Sequence, residues 1–119
     1  MEFFEAPAFT RRLPGYLNDA AFSALQLFLV DQPEAGDLMP NTGGFRKLRW
    51  GDERRGKGKR GGLRVIYYFL REDHQIWLFT LYGKDEADDL TPAQKAQLRA
   101  AIEAEREARR TARLRRGRR

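Results

Sequence analysis

"GGLRVIYYFLREDHQIWLFTLYGK", residues 61–84, decides how the chain folds. Two runs of β-branched and aromatic residues flank "REDHQ", a polar stretch that reads as a hairpin turn. In the first run both parities are largely apolar: Leu63, Val65, Tyr67 and Phe69 fall on one face, and Ile66, Tyr68 and Leu70 share the other with Arg64. A strand of that kind is expected at the centre of a sheet, covered at least in part on both sides. "GFRKLRW" (44–50) supplies a further strand and "EFFE" (2–5) a short one.

Helical spacing appears on either side of these strands. Phe9, Leu13, Tyr16 and Leu17 recur with the helical period, and Pro14 limits that helix. Asn18 is suited to cap a second helix, whose apolar stripe is Phe22, Leu25, Phe28 and Leu29; Pro33 and Gly36 stop it. "LTPAQ" opens a last helix, with Thr91 as N-cap, Pro92 at the first helical position and Gln94 completing a capping box. Its narrow stripe of Leu98, Ala101 and Ile102 gives way beyond about Glu105 to "REARRTARLRRGRR" (106–119). Self-repulsion and the lack of large apolar residues predict fraying or disorder there. The expected architecture is α+β: a small antiparallel sheet with two N-terminal helices packed on it and a C-terminal helix. A domain over 1–105 is followed by a basic, arginine-rich tail over 106–119.

Composition narrows the chemistry. A chain of 119 residues is expected to build one domain. It has no cysteine and one histidine, which excludes disulfides and thiolate metal sites and leaves little material for zinc. No cofactor or metal is expected. Neither the N-terminal stretch nor "AAFSALQLFLV" has the character of a signal peptide or membrane span, so a soluble, cytoplasmic protein without membrane association is expected. The net charge of +6 is concentrated in two patches. Residues 43–64 hold nine Lys or Arg against Asp52 and Glu53, residues 103–119 hold eight Arg against three Glu, and the remainder is net acidic. Localised patches of this kind favour an anionic partner such as a nucleic acid backbone.

The usual catalytic sets are missing. His74 falls in the expected hairpin turn beside Glu72 and Asp73, where a solvated polar residue is the simpler reading. Asp85, Glu86, Asp88 and Asp89 match no ligand loop and read as an acidic helix N-terminus suited to the macrodipole. "GKGKRGG" (56–62) lacks a following Ser or Thr and precedes a strand, so it is not a nucleotide-binding P-loop. Arg64, inside a strand, must reach a partner or a cleft, because burying an unpaired guanidinium is costly. If its strand pairs with the next as a hairpin, Arg64 and Lys84 meet at one end of the sheet. With Lys57 and Lys59 in the adjacent loop, they would form a cationic cleft with Tyr82 in it.

Three stretches, "GDLMPNTGGFRKLRW", "GKGKRGGLRVIYYF" and "LYGKDEADDLTPAQ", resemble in order and spacing the RelE/HigB-like toxins of bacterial type II toxin-antitoxin systems. The resemblance covers roughly residues 3–102 and is nearest to the HigB-like branch. It implies a β-α-α-β-β-β-α domain that cleaves messenger RNA in the ribosomal A site and is silenced by a cognate antitoxin of helix-turn-helix type. It also accounts for the missing histidines. RNA is cut when its own 2′-hydroxyl attacks the adjacent phosphate, so the enzyme need only move protons and stabilise negative charge without a metal.

The resemblance assigns phosphate and transition-state stabilisation to Arg64, and makes Lys84 an acid or phosphate ligand. Basic residues of the preceding strand and loop fall on Arg46, Lys47, Arg49, Lys57 and Lys59; among these Lys57 is expected to transfer the proton, since a lysine crowded by cations can have its pKa lowered. Arg46, Lys47, Arg49, Lys59, Arg60 and Tyr82 are expected to bind RNA. RelE itself uses a C-terminal tyrosine, and this chain has none after Tyr82, so either Tyr82 or a lysine substitutes or activity is weaker than the family norm. Two other readings are a ParE-like toxin that inhibits DNA gyrase by binding, and a non-catalytic RNA-binding module.

Overall fold

The computed structural model describes residues 1–51, 58, 62–87 and 89–117. The described residues form a mixed α+β structure with a five-stranded sheet and three α-helices, the last of them C-terminal. In chain order the elements are β1 (Glu2–Glu5), α1 (Pro7–Arg12), α2 (Asp19–Asp31), β2 (Asp37–Leu38), β3 (Arg46–Trp50), β4 (Leu63–Leu70), β5 (Gln75–Gly83) and α3 (Pro92–Gly117). Short 3-10 turns at Leu13–Gly15 and Arg71–Asp73 follow α1 and β4. Two compact units are distinguished, Met1–Met39 with Phe45–Asp89, and Pro40–Gly44 with Leu90–Arg119.

In the first unit the strand order is β1-β5-β4-β3-β2, with β4 in the middle as its two apolar faces require. The expected all-antiparallel sheet is corrected at one edge, where β1 runs parallel to β5 with Glu2 opposite Gln75 and Glu5 opposite Leu78. The amide of Ala6 extends that pairing to the Leu78 carbonyl at 2.9 Å before α1 turns the chain away. The β4–β5 hairpin closes through Arg71–Asp73, with His74 in the left-handed region at φ 54°.

One face of the sheet carries the main core. Leu48, Val65 and Leu81 align across three strands, and Phe9, Leu17, Leu25 and Leu29 from the N-terminal segment cover them. The Asn18 side chain accepts from the Ala21 amide at 2.8 Å, so the helix that brings Leu25 and Leu29 to the core starts at its expected cap. A bulge opposite Ile66 and Tyr67 leaves Phe79 as an extra residue in β5. It re-phases the strand, so that Leu78 and Leu81, three positions apart, both face the core. Phe79 thereby joins Phe45, Tyr68 and Trp77 on the opposite face, in a cluster of edge-to-face and tilted rings with centroids 5.3–6.1 Å apart.

Tyr67 fixes the connection after α2. Its hydroxyl donates to the Pro33 carbonyl at 2.8 Å and accepts from the Gly36 amide at 2.9 Å. A Cβ at Gly36 would lie 2.9 Å from the Tyr67 ring, so this close approach requires glycine.

In the second unit the capping box forms as expected. The Thr91 amide donates to Gln94 Oε1 at 2.8 Å and the Gln94 amide to Thr91 Oγ1 at 3.1 Å. Leu98 and Ile102 are the buried residues of α3, and Gly43, at φ 78°, leaves no room for a Cβ against the Ile102 methyl. The expected fraying beyond Glu105 is corrected: α3 continues to Gly117. Alanine, arginine and glutamate are strong helix formers. Ion pairs Glu105–Arg109 at 2.9 Å and Glu107–Arg110 at 2.5 Å offset part of the arginine self-repulsion. Among the described residues, no helix is long and apolar enough to cross a membrane.

Candidate RNA-contacting end of the sheet

β3 ends, β4 begins and β5 ends at the same margin of the sheet, and the pairing there aligns Arg49, Arg64 and Tyr82 in one row. Because side chains alternate along a strand, all three share the face opposite the Leu48–Val65–Leu81 core row. Lys47 lies one step inward on that face, aligned with Ile66 and Thr80. The topology thus gathers basic and phenolic groups from three strands, as the hairpin argument required for Arg64, Tyr82 and Lys84.

Their environments differ. Arg64 is only 5% exposed and its Nη1 donates to the Leu63 carbonyl at 3.1 Å, so the guanidinium is held rather than free to sweep through solvent. Arg49 is exposed and Tyr82 is buried. Lys84 is exposed in the turn after β5, and its backbone amide donates to the Gly62 carbonyl at 2.9 Å, which ties that turn to the start of β4. Lys57, Lys59 and Arg60 lie outside the described residues.

The acidic residues after β5 brace this margin. The expected acidic helix N-terminus is corrected: the first turn of α3 contains no acid. Instead Glu86 accepts from the Gly83 amide at 3.0 Å and from Arg12 Nη2 at 2.8 Å. Arg12 Nε also donates to the Leu81 carbonyl at 2.7 Å, so α1 clasps the end of β5. Asp89 pairs with Lys47 at 3.3 Å, reducing the positive charge at that position. Asp88 lies outside the described residues. The sequence shows Arg12 and Glu86 only as ordinary charges, because the topology that joins them spans 74 positions.

Arg46 stands apart from the row. It aligns with Tyr67 on the opposite face, where its Nη1 donates to the Glu34 and Gly36 carbonyls at 3.0 and 2.8 Å. Glu34 also pairs with Arg71. A depression of about 310 Å³ over Gln32, Pro33, Glu34 and Ala35 therefore has as its one titratable lining group a carboxylate already engaged by two arginines.

This arrangement yields a contrast between neighbouring residues. Arg49→Ala is expected to weaken binding of single-stranded RNA several-fold and lower the salt dependence by about one ion, with an unchanged melting temperature. Arg46→Ala is expected to lower the melting temperature and leave the affinity of the folded fraction unchanged. Thermal melts and RNA titrations over a salt series on both variants check this. No known protein-family model matches the chain.

Proposed function

We propose that this protein is the toxin of a type II toxin-antitoxin pair: a ribosome-dependent endoribonuclease with a RelE-like arrangement that cleaves messenger RNA and stops translation. The alignment of Arg49, Arg64 and Tyr82, with Lys84 just beyond them, carries the reading. A restrained guanidinium, an exposed lysine and a phenol meet at one margin with no acid in the strand row.

The chemistry follows from those groups. The RNA 2′-oxygen attacks the adjacent phosphorus, its proton passing to Lys57. The bond from phosphorus to the 5′-oxygen breaks, and Lys84 protonates the departing oxygen. A 2′,3′-cyclic phosphate and a 5′-hydroxyl result. Arg64 holds the phosphate and stabilises the negative charge that accumulates in the transition state, while Arg49, Lys47, Lys59 and Arg60 guide the strand beside the buried Tyr82. The ribosome presents the messenger RNA, and a cognate helix-turn-helix antitoxin silences the protein by covering this margin or blocking access to the A site.

Induced expression without an antitoxin, followed by mapping of messenger RNA 5′ ends, tests the proposal. Growth arrest with new ends inside translated frames is the expected result. Intact transcripts with altered plasmid supercoiling would overturn it in favour of gyrase inhibition. Unimpaired growth from abundant folded protein would overturn it outright.

A further inference from the structure

The arginine-rich end of α3 has a geometry that its composition does not convey. At about 100° per residue, Arg106, Arg109, Arg110, Arg113 and Arg116 fall within an arc of about 120°, and Arg115 points to the far side. Leu98 and Ile102, the buried residues of the helix, lie in the same arc one to two turns earlier. An apolar stripe is thus continued, along one uninterrupted helix, by an arginine stripe. Ile102 is the last fully buried residue; Arg106, Arg110, Arg113 and Arg116 are exposed, and Arg109 is half-buried in its pair with Glu105. The acids flank the arc: Glu105 pairs with Arg109 from one border and Glu107 with Arg110 from the other. Their positions preserve the helix and leave the stripe itself of one sign.

We infer that this stripe is a second binding site, separate from the margin bearing Arg64, and that it docks on the phosphate backbone of double-stranded RNA. From Arg106 to Arg116 the stripe is about 15 Å long, and a helix with side chains is about 10–12 Å across. The A-form duplex brings the phosphates of both strands to the lips of a deep, narrow groove, whereas the B-form major groove is about 12 Å wide. An arc of arginines meets both rows of phosphates in the first case. A membrane surface is the poorer match, because an interfacial helix needs a broad apolar face. Beyond Ile102 this helix offers alanines and a single large apolar residue, Leu114, which lies outside the arc. The choice of RNA over DNA rests on this groove geometry and on the proposed ribosomal function; the binding readout does not depend on that function, since it requires no cleavage.

The test is titration of full-length protein with a blunt RNA duplex of about 20 base pairs, and with the DNA duplex of the same sequence, over a salt series. Arg113→Gln and Arg115→Gln remove the same charge from opposite sides. Arg113→Gln is expected to weaken RNA binding several-fold and reduce the salt slope by about one, and Arg115→Gln to change affinity less than about twofold. Ala108→Pro keeps every charge but breaks the helix downstream of its buried residues, and is expected to weaken binding about tenfold with an unchanged melting temperature. Equal losses for the two glutamine variants would overturn the stripe, as would full binding by a folded Ala108→Pro variant. DNA binding as tight as RNA binding would overturn the choice of duplex. Displacement of the RNA by phosphatidylglycerol vesicles would assign the stripe to membranes instead. Should Ala108→Pro fail to fold, the two glutamine variants decide the question alone.

Discussion

On the proposed function, replacing Arg64 with alanine is expected to slow single-turnover cleavage of messenger RNA on saturated ribosomes by about two orders of magnitude or more, with little change in ribosome affinity. The expectation follows from restraint. Arg64 is nearly enclosed and bonded to the Leu63 carbonyl, so its charge is oriented before RNA arrives. An exposed arginine would have to be ordered during the reaction. Lys84→Ala is expected to give a comparable loss, because the turn that carries Lys84 is fixed by Glu86 and by the Gly62 carbonyl. Arg64→Lys is expected to recover little, since an ammonium replaces a planar fork with a point charge. Rates near wild type for both alanine variants, on protein with an unchanged melt, would remove the active site from this margin.

The largest effect on stability is expected at Tyr67. Tyr67→Phe removes the donor to the Pro33 carbonyl and strands the buried Gly36 amide, at a cost of about 2–3 kcal/mol. The variant also changes the alkaline limb of the stability curve. Burial raises the Tyr67 pKa above its ordinary value of 10.0, outweighing the Gly36 hydrogen bond and the Arg46 charge, which act the other way. Because the folded value exceeds the unfolded one, Tyr67 contributes stability fully present below pH 10, lost as pH rises through the folded value. Denaturant titrations from neutral to strongly alkaline pH are expected to show a steeper loss for wild type than for Tyr67→Phe.

Much of the fold was legible because local chemistry and long-range pairing agree. The apolar character of both faces of residues 63–70 predicts a central strand, and β4 is one. Asn18 and the Thr91–Gln94 pair act through neighbours a few residues away, so sequence suffices to identify them. The bulge at Phe79 is different: it depends on the register against β4, and periodicity within residues 75–83 cannot show which residue is extra. The two-residue β2 is too short to leave a pattern. At the candidate site, Arg64, Tyr82 and Lys84 were legible together because one hairpin places them. Arg46 and Arg49 read alike in sequence, and only the alternation of β3 against β4 sends them to opposite faces. The helical tail does not follow from the repulsion of its arginines alone, because helix propensity and the acids that interrupt them act the other way.

β1 also bears on how the molecule is made. Its ladder partner is β5, and Glu2 and Gln75 are 73 positions apart, so β1 has no place in the sheet until β5 has left the ribosome. The clasp of Arg12 on Leu81 and Glu86 carries the same delay to the margin that bears Arg64 and Lys84. The row of Arg49, Arg64 and Tyr82 is therefore completed only once β5 has emerged, and a shorter translation product lacks it.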